Sequence, residues 1–142
     1  MSRKRENVRQ CKAIRQLIDD NKYTKALELI DAIPLEEVGS LDDLYRYAEL
    51  YEKAERMDKK KEIFYHIYHR THSRYMLNRL LRLTIRMGDM EEARELYFAY
   101  EVAGPITLDT FELRYLLAKA EGEPPERLIQ ILEELKKEEY TE

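Results

Sequence analysis

The sequence predicts an all-α chain made of four similar helical hairpins, and three observations carry that reading. Its 142 residues include only four Gly and four Pro, while the strong helix formers Leu, Glu, Lys, Arg and Ala are abundant. Apolar residues recur at i, i+3/i+4 and i+7, the spacing of one buried helix face. Four related segments, NKYTKALELI at Asn21, ERMDKKKEIF at Glu55, GDMEEARELY at Gly88 and GEPPERLIQI at Gly122, begin 34, 33 and 34 residues apart. Self-similarity at that period marks stacked helical units.

Each segment lies between two helical stretches, so hairpins are expected at about 7–39, 40–73, 74–106 and 107–141 of a single repeat domain spanning 1–142. The first helices turn inward Ala13, Ile14 and Leu17, then Leu44, Tyr47, Ala48 and Tyr51, then Leu77, Leu80 and Leu81, then Phe111, Tyr115 and Ala118. The second helices do so with Ala26, Leu27, Ile30 and Ile33, with Ile63, Phe64, Ile67 and Tyr68, with Ala93, Leu96, Tyr97 and Tyr100, and with Leu128, Ile131, Leu132 and Leu135. Gly88 and Gly122 sit where a tight turn favours positive φ, and Asn21 is the next best residue there. Ser40, Ser73 and Thr107 are expected N-caps, with acids following Ser40 and Thr107 in the first turn. Pro34 and Pro105 break the chain between hairpins, and Pro124 and Pro125 open the last helix, where missing N–H groups are tolerated.

Composition narrows the class. Hydrophobic residues at 44% and charged residues at 38% are those of a folded helical protein rather than a disordered chain. A net charge of −4 and a pI near 5.6 argue against nucleic acid or an acidic membrane as partner. The charge is uneven: residues 1–18 carry six basic side chains against one acid, and residues 131–142 carry two against five. A single cysteine, Cys11, precludes an internal disulfide and suits a reducing compartment, so a cytoplasmic location is expected. The basic start MSRKRENVRQ is followed by no apolar signal region, and no run approaches the roughly 18 apolar residues of a membrane span.

These residues resemble tetratricopeptide repeats, whose 34-residue unit is a helix-turn-helix with small residues where the two helices cross. The third unit, GDMEEARELYFAYEVAGP, is the nearest match, with Gly88 at the turn, Ala93 at the small crossing position, Tyr97 and Tyr100 on the second helix and Pro105 at the end. The resemblance covers about residues 7–141 and implies a right-handed α-solenoid of four hairpins. The early Trp of the family is missing, although Phe111 holds its place in the fourth unit. Lys60 and Arg127 replace the small crossing residue in units two and four, where either the helix contact is looser or their long stems snorkel. Further repeats or another domain are expected beyond residue 142, because a solvating cap helix is missing.

Motifs for chemistry are sparse. IFYHIYHRTHS holds all three histidines, and if Ile63, Phe64, Ile67 and Tyr68 face inward, His66 and His69 face solvent. Residues 66 and 72 of one helix lie about 9 Å apart along the axis, so the three rings do not converge on a zinc ion. His66 and His69 alone would form a weak metal pair. Cys11 has basic neighbours, Lys12 and Arg15, that would favour its thiolate, but no base or oxyanion hole accompanies it. Gly39, Gly88, Gly104 and Gly122 all fall at turns, so no phosphate-cradling loop is present, and no protease, hydrolase or nucleotide motif occurs. Most of the 11 tyrosines fall on core faces as filler. The chain is expected to be non-catalytic and to need no cofactor or metal.

The resemblance implies a concave groove lined by the first helices. Its positions are Cys11, Lys12, Arg15 and Ile18, then Tyr45, Arg46, Glu49 and Glu52. Tyr75, Asn78, Arg79, Arg82 and Arg86 follow, then Glu112, Leu116 and Lys119. Lys12, Arg46 and Arg79 recur once per repeat, so a basic stripe beside Tyr45 and Tyr75 would suit an acidic peptide or a terminal carboxylate. The alternative is that these arginines are ordinary surface residues paired with acids such as Glu49 and Glu52. Cys11 and Arg15 stand where chaperone-tail-binding members have their Lys and Asn pair, which leaves that specificity without support. The expected function is a scaffold or adaptor that holds a protein segment. The alternatives are an N-terminal regulatory array of a longer enzyme or signalling protein and, against the acidic pI, an RNA-binding helical repeat.

Overall fold

The computed structural model describes residues 3–141, with side chains described for residues 4–137. Among these residues the protein is all-helical, with eight α-helices and no strand. The helices group into two compact units, Met1–Thr71 and His72–Glu142, and the division falls where the second expected hairpin gives way to the third.

The first unit contains α1 (Arg3–Asp19), α2 (Tyr23–Ala32), a 3-10 turn at Leu35–Glu37, α3 (Leu41–Lys53) and α4 (Met57–Thr71). Helix α1 packs on α2 and α3 on α4, with α2 resting on α3 and the 3-10 turn on α4. Ile14, Ile30, Val38, Leu44, Tyr47, Ile63, Phe64 and Ile67 fill the core of this unit, each at most 2% exposed. The second unit contains α5 (Arg74–Met87), α6 (Met90–Val102), α7 (Leu108–Ala120) and α8 (Pro125–Thr141). Here α5 packs on α6 and α7 on α8, while α7 also rests on both α5 and α6. Met76, Leu77, Leu80, Leu81, Ala93 and Leu113 are buried at its centre.

One turn builds all four hairpins. In the first, Asn21 N–H donates to the Ile18 carbonyl at 3.0 Å and Lys22 N–H reaches back to Leu17 at 2.8 Å. Glu55 with Arg56, Gly88 with Asp89, and Gly122 with Glu123 repeat that pair of bonds, which is the Schellman ending of a helix. The residue that reverses the chain has positive φ each time: 59° at Asn21, 57° at Glu55, 83° at Gly88 and 77° at Gly122. Glu55 is the exception in chemistry, since its Cβ makes that conformation unfavourable. The 34, 33 and 34 spacing is therefore the spacing of one repeated backbone device.

The helix starts follow their caps. Ser40 and Ser73 accept from the N–H groups of Asp43 and Met76, both at 3.3 Å. At α7 the Thr107 N–H donates to the Thr110 hydroxyl at 3.0 Å. Asp89 adds a cap not anticipated from the sequence, accepting from Glu92 N–H at 3.2 Å. Lys60, at the expected crossing position on α4, does not carry its ammonium out to open solvent, since its side chain is only 13% exposed. Its ammonium pairs with Glu52 and sits 5.3 Å from the centre of the Phe64 ring, its stem covered by the hairpin.

Two core assignments are corrected. Ala13 is exposed and Leu132 is 45% exposed, although both were placed inward. Helices α1 and α8 each pack chiefly on one neighbour, so their buried stripes are narrower than a 3.6-residue pattern suggests. Conversely Leu50, Met76, Leu83 and Leu117 are buried because α3, α5 and α7 each pack on more than one helix, and Cys11 is buried against Tyr47.

Candidate functional site

The first helices were expected to carry the binding face; α1 and α3 lie in the first unit, and α5 and α7 in the second. In the first unit Lys12 and Arg46 are exposed and Tyr45 is half-buried. Arg15 Nε lies 3.2 Å from the Asp43 carboxylate, and Arg46 Nη1 lies 3.7 Å from that of Asp19. Both pairs tie α1 to α3. The arginines are thus neutralised by acids of the neighbouring first helix and not by Glu49 and Glu52. Asp43 is 3% exposed, and burial raises its pKa even though Arg15 and Arg46 pull it down.

Cys11 is not on the binding face. It is 5% exposed and sits against Tyr47, whose phenol is pushed up chiefly by burial and then by the thiol beside it. An amphipathic helix that must seat Ile14 on α2 carries its i−3 neighbour inward as well.

In the second unit Tyr75 is 65% exposed on α5, and the Arg79 guanidinium lies 5.9 Å from its ring centre, one helical turn on. Arg86 is exposed farther along the same helix. Asn78, expected on the face, is 8% exposed. Its amide oxygen accepts from Arg82 Nε at 2.7 Å, and Arg82 Nη1 reaches Glu112 of α7 at 2.9 Å. Asn78 therefore orients Arg82, and Arg82 joins α5 to α7. Tyr75 thus stays exposed on α5 with a half-buried Arg79 beside it.

Two arginines outside the expected set organise the second unit. Arg114 Nε donates to the Tyr97 hydroxyl at 2.9 Å, while its other nitrogens lie 3.3 Å from Glu134 and 3.6 Å from Glu101. Burial opposes its charge, but Tyr97, Glu101 and Glu134 more than restore it. Arg74 Nε donates to the Tyr100 carbonyl at 3.0 Å with its guanidinium 4.1 Å from that ring's centre. In sequence both look like ordinary charges on polar helix faces, and only the neighbouring helix gives them partners.

The histidines need a correction too. His69 is exposed as expected, but His66 is half-buried and its Nε2 is enclosed without a hydrogen-bond partner. Burial, and then the nearby Arg70 charge, hold its pKa below the usual histidine value. The reason is the 3-10 turn at Leu35–Glu37, which packs on α4 and covers what would otherwise be a solvent-facing position. Both rings line a cleft of about 310 Å³ bounded by the end of α2, the 33–36 segment, α3 and α4. Among the described residues no group of three or more His, Cys, Asp or Glu side chains is placed to hold a metal ion, and no helix is long and apolar enough to cross a membrane. No family model, no curated protein and no solved structure matches the chain.

Proposed function

We propose that the protein is a non-catalytic, tetratricopeptide-like interaction scaffold of the cytoplasm that holds a protein or peptide segment on its first-helix faces. The observation that carries this reading is the exposed Tyr75 ring on α5 with the half-buried Arg79 guanidinium 5.9 Å from its centre. Tyr and Arg are the side chains most often found as binding anchors, because each covers a large area and also hydrogen-bonds. The recurrence of one Schellman turn at the repeat spacing supports the comparison with tetratricopeptide hairpins, and the single buried cysteine suits a reducing compartment. The recurrence of basic side chains along the first helices, at Lys12, Arg46, Arg79 and Arg86, favours an acidic segment.

Affinity capture of lysate proteins with the full chain and with Tyr75→Ala/Arg79→Glu tests this, after circular dichroism has established equal helicity. A partner retained by the parent and lost by the variant is the expected result. Identical captures by both chains would overturn the assignment of the site.

A further inference from the structure

The cleft in the first unit is at the small end of ligand-binding cavities, and its chemistry is lopsided. One wall is apolar, formed by Ile30, Ile33, Pro34 and Leu35. Three carboxylates, Asp31, Glu36 and Glu62, line it against one ammonium, Lys59. Lys59 is 3.6 Å from Glu62 and so already balances that acid. Of the nearby arginines, Arg56 bonds the Asp58 carboxylate at 3.3 and 3.4 Å, while Arg70 donates to the neutral Leu35 carbonyl at 2.9 Å and keeps its charge, so the carboxylates still outnumber the unpaired cations by one. Asp31 accepts from the Tyr51 hydroxyl, which fixes its orientation while leaving its charge in place.

The floor adds two features suited to a ligand. Tyr65 and His69 are stacked with ring centres 6.3 Å apart, and aromatic faces attract cations. His66 Nε2 is buried and unpartnered, whereas buried polar atoms normally have a partner. The carboxylates do not converge on a point with the imidazoles, so the charge pattern fits an extended cation better than a metal ion. We propose that this cleft binds an organic cation of the size of an arginine or lysine side chain, with Asp31 and Glu36 pairing its charged head and the apolar wall covering its stem.

The test is a titration of the full-length ¹⁵N-labelled chain with agmatine, with an acetyl-Gly-Arg-Gly-amide peptide and with the same peptide carrying neutral citrulline. Expected are amide shifts confined to residues 30–36 and 59–69 for the two cations, with binding about tenfold weaker in Glu36→Gln, as the loss of one charge-assisted contact implies. Glu36 is exposed, so this variant does not disturb the core, and Asp31→Asn serves as a second variant once its helicity is matched. Tighter binding of the peptide than of agmatine identifies a basic side chain of a partner as the source, and the reverse identifies a free amine. Absence of shifts with both cations, equal binding of the citrulline peptide, or affinity unchanged in both variants would overturn the proposal.

Discussion

The Arg15 guanidinium of α1 stands 3.2 Å from the carboxylate of Asp43 in the first turn of α3. One partner is half exposed and the other is buried, and burial still raises the Asp43 pKa above 3.8 against the pull of Arg15. Between the unfolded and folded values the native state holds more protons than the unfolded chain, so stability falls as pH rises through that window. Asp43→Asn should therefore gain on the parent in urea midpoint as pH is raised from about 3 to 7. Arg15→Ala, by leaving the buried carboxylate unpaired, should lower stability by about 1 kcal/mol at neutral pH.

The left-handed turns give a pair of opposite expectations. Glu55, at φ 57°, is strained by its Cβ, and Glu55→Gly should raise stability by about 1 kcal/mol. At Gly88, φ is 83° and an added Cβ would meet nothing within 4 Å. Gly88→Ala should thus lose about 1 kcal/mol from backbone strain alone. Chemical denaturation of the two variants checks both signs.

Gly104 offers a steric test. A Cβ there would lie 2.8 Å from Arg74 Nη1 and 3.0 Å from Cζ, in a guanidinium held by the Tyr100 carbonyl and ring. Gly104→Ala should destabilise the second unit by about 1–2 kcal/mol. In an Arg74→Ala background the same change should be nearly neutral, and a double-mutant cycle measures that coupling.

His66 sets a pH dependence of the opposite sign to Asp43. Its folded pKa lies below 6.5, so in the window beneath 6.5 the unfolded chain binds the proton more readily. Stability from this group is complete above that window and is lost as pH falls through it. The parent should lose stability relative to His66→Gln between about pH 7 and 5, read from thermal midpoints.

Much of the architecture was legible in the chain. The four turns follow from a recurring position filled by Asn21, Glu55, Gly88 and Gly122, and the inward positions of Leu44, Tyr47, Leu80, Leu81, Ile63 and Phe64 follow from helical periodicity. The exposure of the residues expected on a binding face was less legible. Lys12, Arg46, Tyr75 and Arg86 lie outward, Arg79 is half-buried, and Asn78 and Cys11 are buried, because helix periodicity fixes which residues share a stripe and not how wide a stripe each neighbour covers. Arg74 and Arg114 gave no sequence signal, since a charge on a helix surface looks the same whether or not another helix brings it a carbonyl, a phenol or a carboxylate.

By itself, then, the sequence determined the all-helical class, the number of hairpins and the places where the chain reverses. Those depend on local propensity, on capping and on the tolerance of one backbone position for positive φ. Tertiary structure alone decided the fates of the charged and polar side chains. It paired Arg15 with Asp43 and Arg82 with Glu112, enclosed His66 Nε2 beneath a 3-10 turn, and left Tyr75 exposed beside Arg79. The physical reason is distance along the chain: these partners are brought together by helix packing, and no local rule of spacing encodes them.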